Sequence, residues 1–159
     1  MLALGGSIAT PKEGITEQVI EVKDFDELKA LGAEKIKGKI VFYNHIFPQN
    51  VVNSFDGYGE AGPYRWRGAS EASKLGAKAV IIRSVGSAHD DFAHTGSTGF
   101  ADGVKKVPCA ALSAVDADFL HDALIKEPAL KFKMVMNCEM LDSVKSYNVI
   151  AQITGTQFP

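Results

Sequence analysis

Two imidazoles and two carboxylates stand within six residues in His89-Asp90-Asp91-Phe92-Ala93-His94-Thr95-Gly96. Such donors can hold zinc or another divalent ion, provided that the backbone aims them at one point. No further ligand is spaced to complete a site. The plainer reading is a polar loop whose Asp and Thr side chains bind its own backbone amides. A second cluster, Tyr64-Arg65-Trp66-Arg67, alternates aromatic and basic residues at an expected helix start. It could grip a carboxylate, but such a stretch more often buries its Trp and leaves both arginines in water. Arg83 ends an apolar run, where loop-borne ligands commonly meet the scaffold, and Asp90 or Asp91 are its nearest candidate partners in sequence.

Other chemistries lack their setting. Gly57-Tyr58-Gly59-Glu60-Ala61-Gly62 matches G-x-G-x-x-G, yet it begins thirteen residues after Asn44, where the preceding strand ends, and no acid closes the next strand at Arg83-Ser84. A dinucleotide site needs both features. No serine sits in a G-x-S-x-G elbow. Cys109 and Cys138 lie in apolar runs and read as two small buried hydrophobes rather than a disulfide framework.

The elements that must position these residues follow from periodicity. Val19–Lys23, Ile40–Tyr43, Ala79–Ile82 and Ala110–Leu112 are short apolar strands. Asp24 with Glu27, and Ser113 with Asp116, open two capped helices, the first stopping near Gly32. In the second, Val115, Phe119, Leu120, Ala123 and Leu124 form the expected apolar face, with Asp118, His121 and Asp122 toward water. A further helix is expected from about Tyr64 to Leu75, its Gly68, Ala69, Ala72 and Ser73 allowing close approach to a sheet. Residues 44–63 and 84–106 read as loops, and an irregular stretch as long as the second is commonly functional. Alternation from Lys131 to Met140, a turn at Asp142-Ser143 and a return over Tyr147–Ile153 predict a C-terminal antiparallel hairpin. The expected class is α/β: a mixed sheet with flanking helices and that hairpin.

Bulk properties narrow the field. The chain has 159 residues, enough for one domain with a real core, and is 46% hydrophobic and 23% charged. A net charge of −2 gives no electrostatic case for nucleic acid or an anionic membrane, and no apolar run approaches the ~20 residues of a membrane span.

Four stretches taken in order carry a resemblance. They are Lys37-Gly38-Lys39-Ile40-Val41-Phe42-Tyr43, Gly68 to Arg83, Val107-Pro108-Cys109-Ala110-Ala111-Leu112-Ser113, and Asn148-Val149-Ile150-Ala151. This order resembles the protease-associated (PA) domain over roughly residues 35–155 of a single 1–159 domain. Tyr64-Arg65, Ile82-Arg83-Ser84 and Asp91 to Gly96 make it more narrowly similar to the insert of zinc-dependent aminopeptidases and carboxypeptidases of the glutamate-carboxypeptidase and plasma-type group. The resemblance implies a swivelling β/β/α architecture and a non-catalytic role in shaping substrate access or contacting protein and peptide. It implies a peptidase core as partner, joined through residues 156–159, with zinc in that core and none here. The family's adjacent Glu-Glu metal pair occurs nowhere in this sequence, so no catalytic residue or metal ligand is carried over. Arg83, Asp91 and His94 are the candidates to line the substrate cleft of such a parent. The parent is expected to be secreted or periplasmic, its export signal outside this chain. Two rival readings are a small metal-dependent hydrolase centred on His89 and His94, and a free-standing protein-binding module.

Overall fold

The computed structural model describes residues 1–157. Of the expected connection at 156–159, Phe158 and Pro159 lie outside the described residues. Six strands form one mixed sheet: β1 (Leu2–Ala3), β2 (Ile15–Val22), β3 (Ile40–Tyr43), β4 (Ala79–Arg83), β5 (Cys109–Leu112) and β6 (Lys131–Met134). Their spatial order is β1-β5-β4-β3-β2-β6. The four central strands are parallel, and β1 and β6 close the two edges in antiparallel register, Leu2 opposite Ala111 and Ile15 opposite Met134.

Parallel strands need helices on both faces, and their continuous apolar runs follow from that. Alternate residues of each run serve opposite layers. Val41, Tyr43, Val80 and Ile82 join a core with Leu28, Ile36, Ala69 and Ala72, contributed by α1 (Phe25–Ile36) and α3 (Gly68–Lys74). Ile40, Phe42, Ala79 and Ile81 face Ala117, Leu120 and Leu124 of α4 (Ala114–Lys126). Both expected caps form: Asp24 accepts from Glu27 N at 2.8 Å and Ser113 Oγ accepts from Asp116 N at 3.0 Å. The expected stop at Gly32 is a break inside α1, where φ is 62° before one more turn. No helix among the described residues is long and apolar enough to cross a membrane.

Three expectations are corrected. Residues 44–63 are not all loop, because α2 (Ser54–Trp66) occupies the second half. Asn53 caps it by accepting from Phe55 N at 3.1 Å, and tertiary packing of Gly57, Ala61 and Gly62 outweighs the poor propensity of three glycines and Pro63. The G-x-G-x-x-G run is therefore helical and forms no phosphate loop. The expected helix from Tyr64 is instead split at Arg67 between α2 and α3. The C-terminal hairpin is only half present. β6 forms and pairs with β2, and Met136 extends the edge by exchanging bonds of 3.0 Å with Thr10. The return strand over Tyr147–Ile153 does not form, and Tyr147, Val149, Ile150 and Ile153 are more than 80% exposed. A four-residue β6 offers a return strand few ladder bonds, and an uncovered two-stranded ribbon is marginal in water.

Candidate functional site

The carboxyl ends of β2, β3, β4 and β5 lie along one edge of the sheet, the usual meeting place of scaffold and ligand in parallel α/β folds. The long segment 84–106 leaves the sheet here, without helix or named strand. Backbone anchors nonetheless fix it. Ser84 Oγ accepts from His94 N at 2.7 Å and donates to the Leu112 carbonyl at 2.5 Å. Gly5 donates to the Gly96 carbonyl and accepts from Thr98 N, both at 2.7 Å. Gly99 N reaches the Trp66 carbonyl at 2.7 Å, and Ala101 N reaches Ser70 Oγ at 3.1 Å. The segment thus ties its polar backbone to Gly5 after β1, to α2, α3 and β5, and at His94, Phe92 and Val104 to its own residues.

Arg83 is the centre of a hydrogen-bonded chain across this edge. Its Nε donates to Asn44 Oδ1 at 2.7 Å, its Nη1 to the Ala114 carbonyl at 3.3 Å, and its Nη2 to Asp118. His89 Nε2 lies 2.7 Å from the other Asp118 oxygen. On the far side, Asn44 Nδ2 donates to Glu21 Oε1 at 2.5 Å, and His121 Nδ1 lies 2.8 Å from the same oxygen. The Arg83 guanidinium, followed by His89, holds the Asp118 carboxyl below the usual carboxylate range. The Arg83 side chain is 7% exposed, whereas Asp118 is half exposed. A cavity of about 240 Å³ opens between this arginine, Phe47, Ser87 and His89.

The other two expected site residues sit beside Arg83 but bond elsewhere. Asp91 accepts from Ser113 Oγ at 3.1 Å, the hydroxyl that caps α4. His94 Nε2 lies 3.4 Å from Asp90 Oδ2, and Asp90 Oδ1 accepts from Phe92 N at 3.1 Å. Arg83, Asp91 and His94 therefore all meet the junction of β4, β5 and α4, through Ala114, Ser113 and Ser84 respectively, while only Arg83 lines the cavity. His89 and His94 turn to different carboxylates, Asp118 and Asp90. Among the described residues no three of His, Cys, Asp and Glu stand together as metal donors, so this donor set does not fit zinc.

The arginines of the second cluster are not simply solvated, and Trp66 is not buried. Arg65 bonds the Tyr58 hydroxyl, lies 4.9 Å over the Tyr58 ring and packs across Gly96, where a Cβ would fall 2.5 Å from its Nε. Arg67 lies 4.9 Å over Phe25, and Trp66 remains 48% exposed. Sequence reading missed Asn44, Asp118, Glu21 and His121. The one available signal was the i, i+3 pair Asp118 and His121 on α4, which reads equally well as a solvent face. Cys109 is fully buried, and burial pushes its thiol up to about 12, while Cys138 is partly exposed; both are free.

No family model matches the chain. Carboxypeptidase Q of Homo sapiens is 38% identical over 159 residues, covering 100% of this chain and 32% of that protein. The chain thus spans about a third of the length of the curated relatives it matches. A crystal structure of a peptidase M28 precursor from Shewanella amazonensis SB2B superposes with a TM-score of 0.72 at 37% identity, covering 81% of this chain and 28% of that one. A zinc aminopeptidase from Bacillus subtilis shares the fold at a TM-score of 0.50 and 20% identity, over 75% of this chain and 24% of that one. The chain resembles a PA-like domain of zinc exopeptidases, and its mixed sheet with flanking helices agrees with that architecture.

Proposed function

We propose that the chain is a non-catalytic PA-like domain of a secreted or periplasmic zinc-dependent exopeptidase, in which it shapes access of peptide substrate to the peptidase core. The observation that carries this reading is the alignment of the whole chain with only a third of carboxypeptidase Q. The geometry is compatible with such a role. Segment 84–106 is anchored along its backbone, so its side chains can be presented on a fixed rim without building the core. His94 shows this best: its backbone N–H ties the loop to Ser84, while its ring lies over Gly86 and meets the carboxylate of Asp90. In the proposed arrangement His94, Asp91 and the Arg83 cavity border the substrate path, and zinc belongs to the core.

The test is His94→Ala, read twice. In the present chain the backbone anchor survives, so the stability from urea melts stays within about 0.5 kcal/mol of the parent value. In the longer peptidase carrying this segment, KM or kcat for dipeptide substrates changes several-fold. Normal kinetics there, together with an unchanged fold here, would overturn the placement of this loop at the substrate path.

A further inference from the structure

The opposite edge of the sheet has a different character. A groove of about 660 Å³, within the range of ligand-binding clefts, opens beside the amino-terminal ends of the parallel strands. Four lysines line it, Lys37, Lys78, Lys105 and Lys106, against a single carboxylate, Glu17. Among the described residues only Lys78 of these four has an ion-pair partner, and that partner is Glu17. The hydrogen bond from Lys78, with the charges of Lys78, Lys131 and Lys39 added to it, holds the Glu17 carboxyl below its usual range, and leaves the other three groove lysines without a counter-charge among the described residues. This charge concentration occurs on a chain whose net charge is −2. The carboxylates Glu21, Asp90, Asp91 and Asp118 gather instead at the far edge.

We propose that this groove binds an extended acidic segment of a partner protein. Charge complementarity selects the anion, and the groove's floor selects the class. Ile8, Ala9, Pro11 and Ile15 present apolar surface beneath the lysine rim, backed by the buried Val107 and Pro108, which suits aliphatic side chains alternating with carboxylates. No aromatic ring and no arginine lines the groove, so the stacking platforms and planar forks that single-stranded nucleic acids and phosphate groups favour are missing. A sulfated polysaccharide would leave the apolar floor uncovered, and a flat bilayer cannot enter a concave site. Lysines supply point charges on flexible stems, which tolerate varied carboxylate spacing.

The experiment is fluorescence anisotropy of the present chain with a labelled extended peptide of about ten residues rich in Asp, Glu and Val. Saturable binding is expected, weakening as salt is raised. Lys105→Glu/Lys106→Glu should weaken it at least tenfold, and Lys37→Glu severalfold, both without loss of the cooperative melt because these side chains are exposed. Lys23→Glu/Lys29→Glu, following the carboxyl end of β2, should leave binding unchanged. Absence of saturable binding would overturn the proposal. So would equal binding of the Asn/Gln version of the peptide, or equal binding by the Lys105/Lys106 variant. Tighter binding of a heparin oligosaccharide or of phosphatidylserine vesicles than of the peptide would overturn it as well.

Discussion

Replacing Arg83 by Met should destabilise the chain by about 2–4 kcal/mol, and the estimate follows from where each guanidinium bond ends. The bond to Asn44 Oδ1 at 2.7 Å is short and comes from a charged donor, so it stands at about 1.5–3 kcal/mol. The bond to the Ala114 carbonyl at 3.3 Å is long and adds about 1 kcal/mol at most. The ion pair with Asp118 involves a half-exposed carboxylate, so solvent screening holds it below about 1 kcal/mol. Methionine keeps much of the apolar stem but leaves Asn44 Oδ1 without its donor beside the core, whereas the Ala114 carbonyl keeps its place in the ladder of α4. With a slope near 2 kcal/mol per molar urea, the midpoint should fall by about 1–2 M. Asp118→Asn keeps an acceptor for Arg83 and should cost less than about 1 kcal/mol. Urea melts followed by circular dichroism measure both. An Arg83→Met midpoint within about 0.25 M of the parent, on the same slope, would refute the reasoning. So would an Asp118→Asn loss equal to that of Arg83→Met.

Other predictions follow from the same geometry. Because its carboxyl titrates lower in the folded chain than in the unfolded one, Asp118 contributes fully above about pH 4 and loses its contribution as pH falls through the folded value. The stability gap between parent and Asp118→Asn should therefore be flat from pH 7 to about pH 5 and close under stronger acid, and a gap that widens in acid would contradict the assignment. Ala72→Leu should cost on the order of 1–3 kcal/mol, since Ala72 has no exposed surface and lies against the sheet. Glu71→Ala, which removes only a surface pair with Lys74, should stay within about 0.5 kcal/mol in the same melts. In the native chain iodoacetamide should label Cys138 and spare Cys109, whose thiol is buried and held protonated, as mass spectrometry of the alkylated protein can show.

The parallel heart of the sheet was legible because its strands are apolar on both faces, a pattern that survives any context: Ile40 to Tyr43, Ala79 to Arg83 and Cys109 to Leu112 are buried throughout. The caps at Asp24 and Ser113 were legible because capping is local chemistry. The face of α4 was not. Val115 and Phe119 are exposed, while Asp118 and His121 turn toward Arg83 and Glu21, residues 35 and 100 positions away. Paired polar groups on one side outweighed two apolar side chains, and local periodicity cannot register partners so distant in sequence. The same distance hid Asn44 and Glu21. α2 was masked by glycines that packing tolerates, and the tail beyond Met136 reads as a strand although no further edge receives it here. Of the candidate site, the identity of the loop was readable, and the partners that its backbone and its side chains find, Ser84, Ser113 and Asp118 among them, were not.

The proposal that this chain serves a peptidase without performing the cleavage is tested most directly by assaying the purified 159-residue chain against aminoacyl and dipeptide reporters with added zinc. His89 and His94 face separate carboxylates, so no hydrolysis above the buffer rate is expected at any zinc concentration. Turnover that a chelator removes, and that His89→Ala and His94→Ala each abolish, would contradict it.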